Sequence, residues 1–180
     1  MKTVSCGYLV GVLACVFSAA AWGQESKSAL LAKELATALD ASKIDYIAAK
    51  DPASADSYIG ALYIPGVELL VISGKYSVPA LLDARLTKKE YKDIYLDLNG
   101  ASMAGTKVFV EDLGANGLSA KRNANQPFDN FESGGKSTAF NGDWDKQKLS
   151  ENEYMRIFSA ADARYSQMLT ALLEQLKKGP

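Results

Sequence analysis

Residues 58–73 read YIGALYIPGVELLVIS, two apolar runs on either side of a Pro65-Gly66 dipeptide. A proline followed by a glycine suits a tight turn, because proline fixes one backbone angle and glycine accepts a positive one. The runs Tyr58–Ile64 and Val67–Ser73 therefore predict a β-hairpin. Both runs are nearly continuous in apolar side chains, which indicates that the hairpin lies in the middle of a sheet.

The chain before the hairpin has a helical pattern. Ser26 to Ser42 predicts a helix that Ser26 or Ser28 can cap, because its apolar residues recur on one face. Lys43 to Lys50 is predicted to continue this helix as a second short turn. Asp51-Pro52 then interrupts it, since the residue before a proline avoids the helical region. A polar connector over residues 53–56 leads into the hairpin.

The chain after the hairpin alternates between predicted helix, strands and loop. The predicted elements are a helix opened by Pro79 with its body at Ala80–Lys92, strands at Asp93–Leu98, Lys107–Glu111 and Lys136–Asn141, a turn at Gly114–Gly117, and a long loop at Lys121–Gly135.

The last predicted element is a C-terminal helix with a capping box formed by Ser150 and Glu153. An apolar stripe follows at three- and four-residue steps: Tyr154, Phe158, Ala161, Tyr165, Met168, Leu172 and Leu176. We expect this stripe to face the core, with a dimerisation face as the alternative. The predicted fold class is α+β: a small split β-barrel or a curved, mainly antiparallel sheet with N- and C-terminal helices.

Residues 1–23 have the pattern of a secretory signal peptide. Lys2 is followed by an apolar run at Tyr8–Phe17 and by small residues at 18–23, and the run is shorter than the roughly 20 residues of a membrane-spanning helix. We therefore expect export to the periplasm or the exterior, and a single domain over residues 24–180. The alternative is a lipoprotein, since Val12–Cys15 partly resembles a lipobox.

Composition excludes several classes of chemistry. The 180 residues include no histidine, and both cysteines lie in the predicted signal. Histidine-based nucleophilic sites and the usual zinc sites are therefore excluded from the mature chain. Removal of residues 1–23 leaves 19 basic and 21 acidic residues, so no basic excess favours nucleic acid as a partner. No apolar run in the mature chain is long enough to cross a membrane.

The segment Ser73-Gly74-Lys75-Tyr76-Ser77 lies between a predicted buried strand and a predicted helix. Hydroxyl groups, backbone donors and a lysine at a helix N-terminus can bind a phosphate. The alternative is a solvated turn in which Ser77 caps the helix.

The order of elements, together with this segment, resembles the flavin-binding split-barrel superfamily, which includes the pyridoxamine phosphate oxidases. The resemblance covers most of residues 28–176. It implies that Ser73, Lys75 and Ser77 hold the phosphate of FMN and that the chemistry belongs to the flavin. Pro79 stands where the family places a helix-start lysine, so Lys75 would have to replace that lysine from within the turn.

Two weaker patterns involve oxygen ligands. Asn141, Asp143 and Asp145 resemble the start of a calcium loop, but its sixth and twelfth positions hold Lys146 and Asn152 instead of Gly and Glu. Four acids of the polar segments, Asp129, Glu132, Asp143 and Asp145, could include the carboxylate pair of a glycoside hydrolase. Solvated loop acids are the alternative in both cases. Several aromatic residues, Tyr58 and Tyr63 among them, could line a ligand pocket or fill the core.

Two functional hypotheses follow from these observations. The first is an exported binding module for a small molecule, without an intrinsic catalytic site. The second is an FMN-dependent oxidoreductase of the split-barrel type. Either is compatible with a homodimer.

Overall fold

The computed structural model describes residues 25–75, 106–119, 129–134, 136–140 and 150–178. Its elements are α1 (Lys27–Ser42), β1 (Tyr46–Lys50), β2 (Ser57–Ile64), β3 (Glu68–Lys75), β4 (Thr106–Leu113), β5 (Asp129–Ser133), β6 (Lys136–Phe140) and α2 (Glu151–Lys178). The six strands form one curved sheet in chain order, and each strand is antiparallel to its neighbours. Within the described ranges the sheet stays open, with β1 and β6 at its edges. The α+β class with terminal helices is confirmed.

The predicted hairpin is formed by β2 and β3, with residues 65–67 in the connection, so β3 begins at Glu68 and not at Val67. Ile64 pairs with Glu68 across the turn, and the Val67 amide donates to the Ile64 carbonyl at 2.9 Å. Gly66 has a positive φ of 72°, which glycine adopts at no steric cost. The hairpin lies between β1 and β4, so its predicted interior position is confirmed.

The helix α1 begins and ends as its sequence indicates, but the segment after it was predicted wrongly. The Ser26 hydroxyl accepts from the Ala29 amide at 3.2 Å and caps the helix. Lys43 adopts the left-handed conformation with φ of 57°, which ends the helix. Residues 46–50 then form β1 instead of the expected helical turn, because pairing with β2 decides their conformation.

The helix α2 confirms both the capping box and the core-facing stripe. The Glu153 amide donates to the Ser150 hydroxyl at 3.3 Å, and the Ser150 amide donates to the Glu153 carboxylate at 2.9 Å. Six members of the predicted stripe, from Tyr154 to Leu172, are buried, and Leu176 packs partly buried against them. The stripe is therefore core and is not available as a dimerisation face.

The strands Lys107–Glu111 and Lys136–Asn141 are confirmed as β4 and β6, with β4 extended by two residues at its C-terminal end. The expected loop over 121–135 is wrong in part, because β5 lies inside it, paired with β4 and β6. Other predicted features lie outside the described residues: the signal peptide at 1–23, the helix at Ala80–Lys92, the strand at Asp93–Leu98 and the acidic loop at 141–145.

Apolar side chains occupy both faces of the sheet. One face packs against α1 and α2 through residues that include Ile59, Val71 and Val110. The other face has a second buried cluster: Tyr46, Ala48, Leu62, Leu70 and Ile72, with Tyr58 and Phe109 packed against it. This two-sided burial explains why β2 and β3 are nearly continuous in apolar residues. In the described part of the chain, neither helix has the length and apolarity that crossing a bilayer requires.

Candidate functional site

Asp51, Ser73 and Arg164 form a buried polar group, the Asp51 cluster, at one end of the helix-covered face. Asp51 follows β1 directly, Ser73 lies in β3 and Arg164 lies in α2. Arg164 Nη2 donates to Asp51 Oδ2 at 2.6 Å, and the Ser73 hydroxyl donates to the same oxygen. The Ala53 amide donates to Asp51 Oδ1 at 2.8 Å. The cluster therefore joins the end of the edge strand β1 to the middle of the sheet and to α2.

The Asp51 cluster holds its carboxylate in the charged form. Burial alone would raise the pKa of Asp51, but hydrogen bonds from Arg164, Ser73 and Ala53, with the charge of Arg164, lower the pKa below its ordinary value of 3.8. Arg164 Nη1 is buried and has no hydrogen-bond partner among the described residues. The main energetic role of such a buried ion pair is that each partner neutralises the other; removal of one partner would leave a buried charge without compensation and would destabilise the fold.

The three predicted phosphate ligands fall in different places. Ser73 is fully buried in β3, and its hydroxyl proton is used by Asp51. Lys75 is the last residue of β3, and Ser77 lies outside the described residues. Asp51 also places a negative charge beside Ser73, which opposes a phosphate at that hydroxyl. The assignment of these residues to FMN stays a prediction.

Asp112 and Asp129 form a second buried group, the acid pair, near the other end of β3. Glu111 pairs with Asn130 across β4 and β5, so the next position sets Asp112 directly opposite Asp129. Asp112 accepts from the amides of Asn116 and Gly117 at 3.0 and 2.8 Å and from the Tyr165 hydroxyl at 2.9 Å.

Asp129 is bound by the same segment as Asp112. Its two carboxylate oxygens accept from the amides of Leu113 and Ser119 at 3.2 and 3.1 Å. Asp129 is 3 % exposed and Asp112 is fully buried. Four backbone amides of residues 113–119 therefore point at two neighbouring carboxyl groups.

The acid pair has the opposite electrostatics to the Asp51 cluster. Burial raises the pKa of Asp112 to about 6, although its hydrogen bonds work against the rise. Burial and the neighbouring charge of Asp112 raise the pKa of Asp129 to about 7. Burial and the charge of Asp112 also raise the pKa of Tyr165 well above its ordinary value, so its hydroxyl stays a donor. The sites differ because no cation of the described residues faces the acid pair.

A groove of about 390 Å³ lies where β1 and β2 meet the C-terminal end of α2, and we call it the edge groove. Its lining on the strand side is Ala48, Ala49, Lys50, Pro52 and Tyr58, and on the helix side Ala171, Glu174, Gln175 and Lys178. Lys50, Glu174 and Lys178 are exposed, and none of the three makes an ion pair with another described residue. The edge groove thus presents charged groups around an apolar floor.

Sequence reasoning singled out some of these residues and missed others. Asp129 and Glu132 were candidates for a carboxylate pair, with solvated loop acids as the alternative: Asp129 is buried in the acid pair, and Glu132 is exposed on β5. Asp112 was missed, although the alternation of Val108 and Val110 places position 112 on their face of the sheet. Arg164 and the edge groove have no local sequence signal, because their partners are distant along the chain.

No family model, curated protein or solved structure matches this chain. Among the described residues, no three carboxylate or thiol side chains lie close enough together to hold a metal ion. The function is therefore argued from the geometry of the two buried groups and the edge groove.

Proposed function

We propose that this chain is an exported binding module for a small molecule, and that the edge groove is its ligand site. The single observation that supports the proposal is the juxtaposition of unpaired charged groups with an apolar floor in one concave surface. Small-molecule sites typically combine such a floor with a few polar groups that orient the ligand. The carboxylates of the two buried groups already have hydrogen-bond donors within the protein, so we assign these groups to the fold and ligand binding to the groove.

The lining of the groove favours an organic carboxylate with a small apolar body. Lys50 and Lys178 bring two ammonium groups against the single carboxylate of Glu174, so the rim has a net positive charge. The methyl groups of Ala49 and Ala171 and the ring of Tyr58 offer surface to an apolar body. The groove is partly open to solvent, and this limits the affinity, because a small ligand gains little binding energy per atom at an open site.

The test is a titration with phenylacetate, followed by two-dimensional amide NMR. We expect saturable shifts of the β1 and α2 amides that line the groove, with a Kd on the order of 1 mM. Phenylacetamide has the same shape without the charge and should bind at least about tenfold more weakly. Shifts of equal size with both compounds would contradict a charge-directed site.

Matched lysine variants locate the binding. Lys50→Met with Lys178→Met should abolish saturation, because both ammonium groups are lost while the alkyl bulk is kept. Lys27→Met is the control: Lys27 is exposed at the start of α1, whose first turn contacts Asp162, sixteen residues before Lys178 in α2. Loss of binding in the control as well would point to a general effect of net charge.

A separate measurement on the same protein tests the flavin hypothesis. Thermal unfolding with and without excess FMN should show an unchanged Tm if the groove is the only ligand site. A raised Tm that is lost in Lys75→Ala with Ser77→Ala would favour the split-barrel oxidoreductase instead.

A further inference from the structure

The segment that follows β4 is held from two sides. On one side its amides donate to the acid pair, through Leu113 and Ser119 to Asp129 and through Asn116 and Gly117 to Asp112. In the part of the chain that the structure describes, no other element supplies a backbone donor to either carboxyl group. The position of residues 113–119 therefore depends on how well two adjacent carboxyl groups accept these four hydrogen bonds.

On the other side the segment rests on the first turn of α1. The Leu118 amide donates to the Ser28 hydroxyl at 3.1 Å, and the Ser26 hydroxyl donates to the Leu118 carbonyl at 3.2 Å. Gly117 has a φ of +83°, and a Cβ there would lie 2.3 Å from the Ala29 backbone. Gly117 therefore packs directly against the backbone of α1, and a movement of residues 113–119 away from α1 would break this contact.

The described titratable side chains around the acid pair are either acidic or uncharged. On β4, Glu111 adds a negative charge that acts on Asp129. On α2, Tyr165 donates to Asp112, and Asp162 accepts from the Ser28 amide at the start of α1. No lysine or arginine of the described residues pairs with Asp112 or Asp129. A second negative charge in the pair is therefore opposed only by amide and hydroxyl dipoles.

We propose that Asp112 and Asp129 act as a proton-operated latch that closes residues 113–119 onto the N-terminal turn of α1 when the pair holds a proton. With one proton on the pair, one carboxyl group is neutral, and the charge of Asp112 no longer opposes a second charge on Asp129. When both are ionised, the repulsion and the cost of burial favour an open segment in which water reaches the carboxylates. Release of the latch is thus linked to release of protons, and it occurs as the pH rises.

The test is amide hydrogen exchange by NMR, on the full chain at pH 5.5 and 8.5, with rates corrected for intrinsic exchange. The amides of Asn116, Gly117 and Ser119 should lose protection by at least about tenfold at the higher pH. The Ala53 amide is the matched control, because it also donates to a buried aspartate, but one that pairs with Arg164. Equal pH dependence at Ala53 and in the latch would overturn the proposal.

Two variants separate a latch from a merely structural cluster. Asp129→Asn cannot hold a second charge, so the loss of protection between the two pH values should shrink to less than about threefold. If that variant does not fold, Tyr165→Phe gives an independent readout. It removes a hydrogen bond that favours the ionised form of Asp112, so the opening midpoint should move to higher pH. An unchanged midpoint in Tyr165→Phe would also overturn the latch.

Discussion

Asp51 and Asp112 are buried carboxyl groups on the same helix-covered face, and β3 runs between them: Ser73 contacts Asp51, and Leu69 pairs with Asp112. They are stabilised in opposite ways. Asp51 has a guanidinium partner and a lowered pKa. Asp112 has backbone amides, a tyrosine and a second carboxyl group, and its pKa is raised to about 6. The comparison shows that burial alone does not decide the charge of an acid; the partner does.

Arg164 and Tyr165 are consecutive residues of α2, and they contact the two buried groups at opposite ends of β3. Arg164 reaches Asp51 and Tyr165 reaches Asp112. One turn of α2 therefore sets the position of β1 and of the segment after β4 together. Substitutions in this turn and around it test whether the two ends respond differently, as their electrostatics indicate.

The largest effect is expected from Arg164→Met. The variant leaves the Asp51 carboxylate buried without its cation, which should lower the free energy of unfolding by about 3 kcal/mol at pH 7. Urea unfolding measures the change. Adding Asp51→Asn removes the orphaned charge and should restore more than half of the loss. A single variant that costs less than about 1 kcal/mol would mean that the pair is solvated.

The next effect is expected at the other end, from Gly117→Ala. The added Cβ meets the Ala29 backbone, and φ of +83° is strained for alanine, so we expect a loss of about 2–3 kcal/mol. Gly66→Ala is the matched control: it has a φ of +72° with nothing within 4 Å, and should cost about 1 kcal/mol. If the two variants lower the free energy of unfolding equally in urea, the contact between Gly117 and α1 leaves room for a Cβ.

The pH dependence of stability should separate the two ends directly. The acid pair has pKa values raised to about 6 and 7, so the folded state binds more protons, and stability falls as the pH rises from 4 to 7. Asp51 has a lowered pKa, so its contribution is present above 3.8 and is lost as the pH falls further. We expect maximum stability near pH 4, and a decrease of at least about 2 kcal/mol by pH 8.

The control for this profile is Asp129→Asn. Removal of one charge of the acid pair should flatten the decline between pH 5 and 8 while leaving the loss below pH 4 unchanged, because that loss belongs to Asp51. Chemical unfolding at a series of pH values measures both the decline between pH 5 and 8 and the loss below pH 4. A wild-type stability that rises from pH 5 to 8 would contradict the raised pKa values.

The difference between the two ends also explains what could be predicted from the sequence. The hairpin at 58–73 and the C-terminal helix follow from local patterns, a Pro-Gly turn and a capping box, and both are confirmed. The strand β5 was missed because its residues, Asp129 to Ser133, have weak strand preference and are held by pairing on both sides. Residues 46–50 were predicted as helix, but pairing with β2 makes them the edge strand β1.

The candidate site was harder to predict than the fold, because its contacts are distant along the chain. Asp51 and Arg164 are 113 residues apart, and no spacing rule connects them. Asp112 and Asp129 become neighbours only through the β4–β5 register, and one of the two strands was predicted to be loop. Periodicity reports which face a residue occupies; it does not report which distant residue meets it there.

The smallest effect is expected from Ser26→Ala, which tests whether the acid-pair end extends to α1. The Ser26 hydroxyl caps α1 and also donates to the Leu118 carbonyl, so its loss should cost about 1 kcal/mol in urea unfolding. It should also speed hydrogen exchange at Gly117 and Ser119, because the segment loses one of its anchors on the helix. Ser150→Ala is the matched control, since Ser150 caps α2 and, among the described residues, its hydroxyl bonds only to Glu153. If both variants change exchange in 113–119 equally, the segment responds to global stability and is not anchored by the cap of α1.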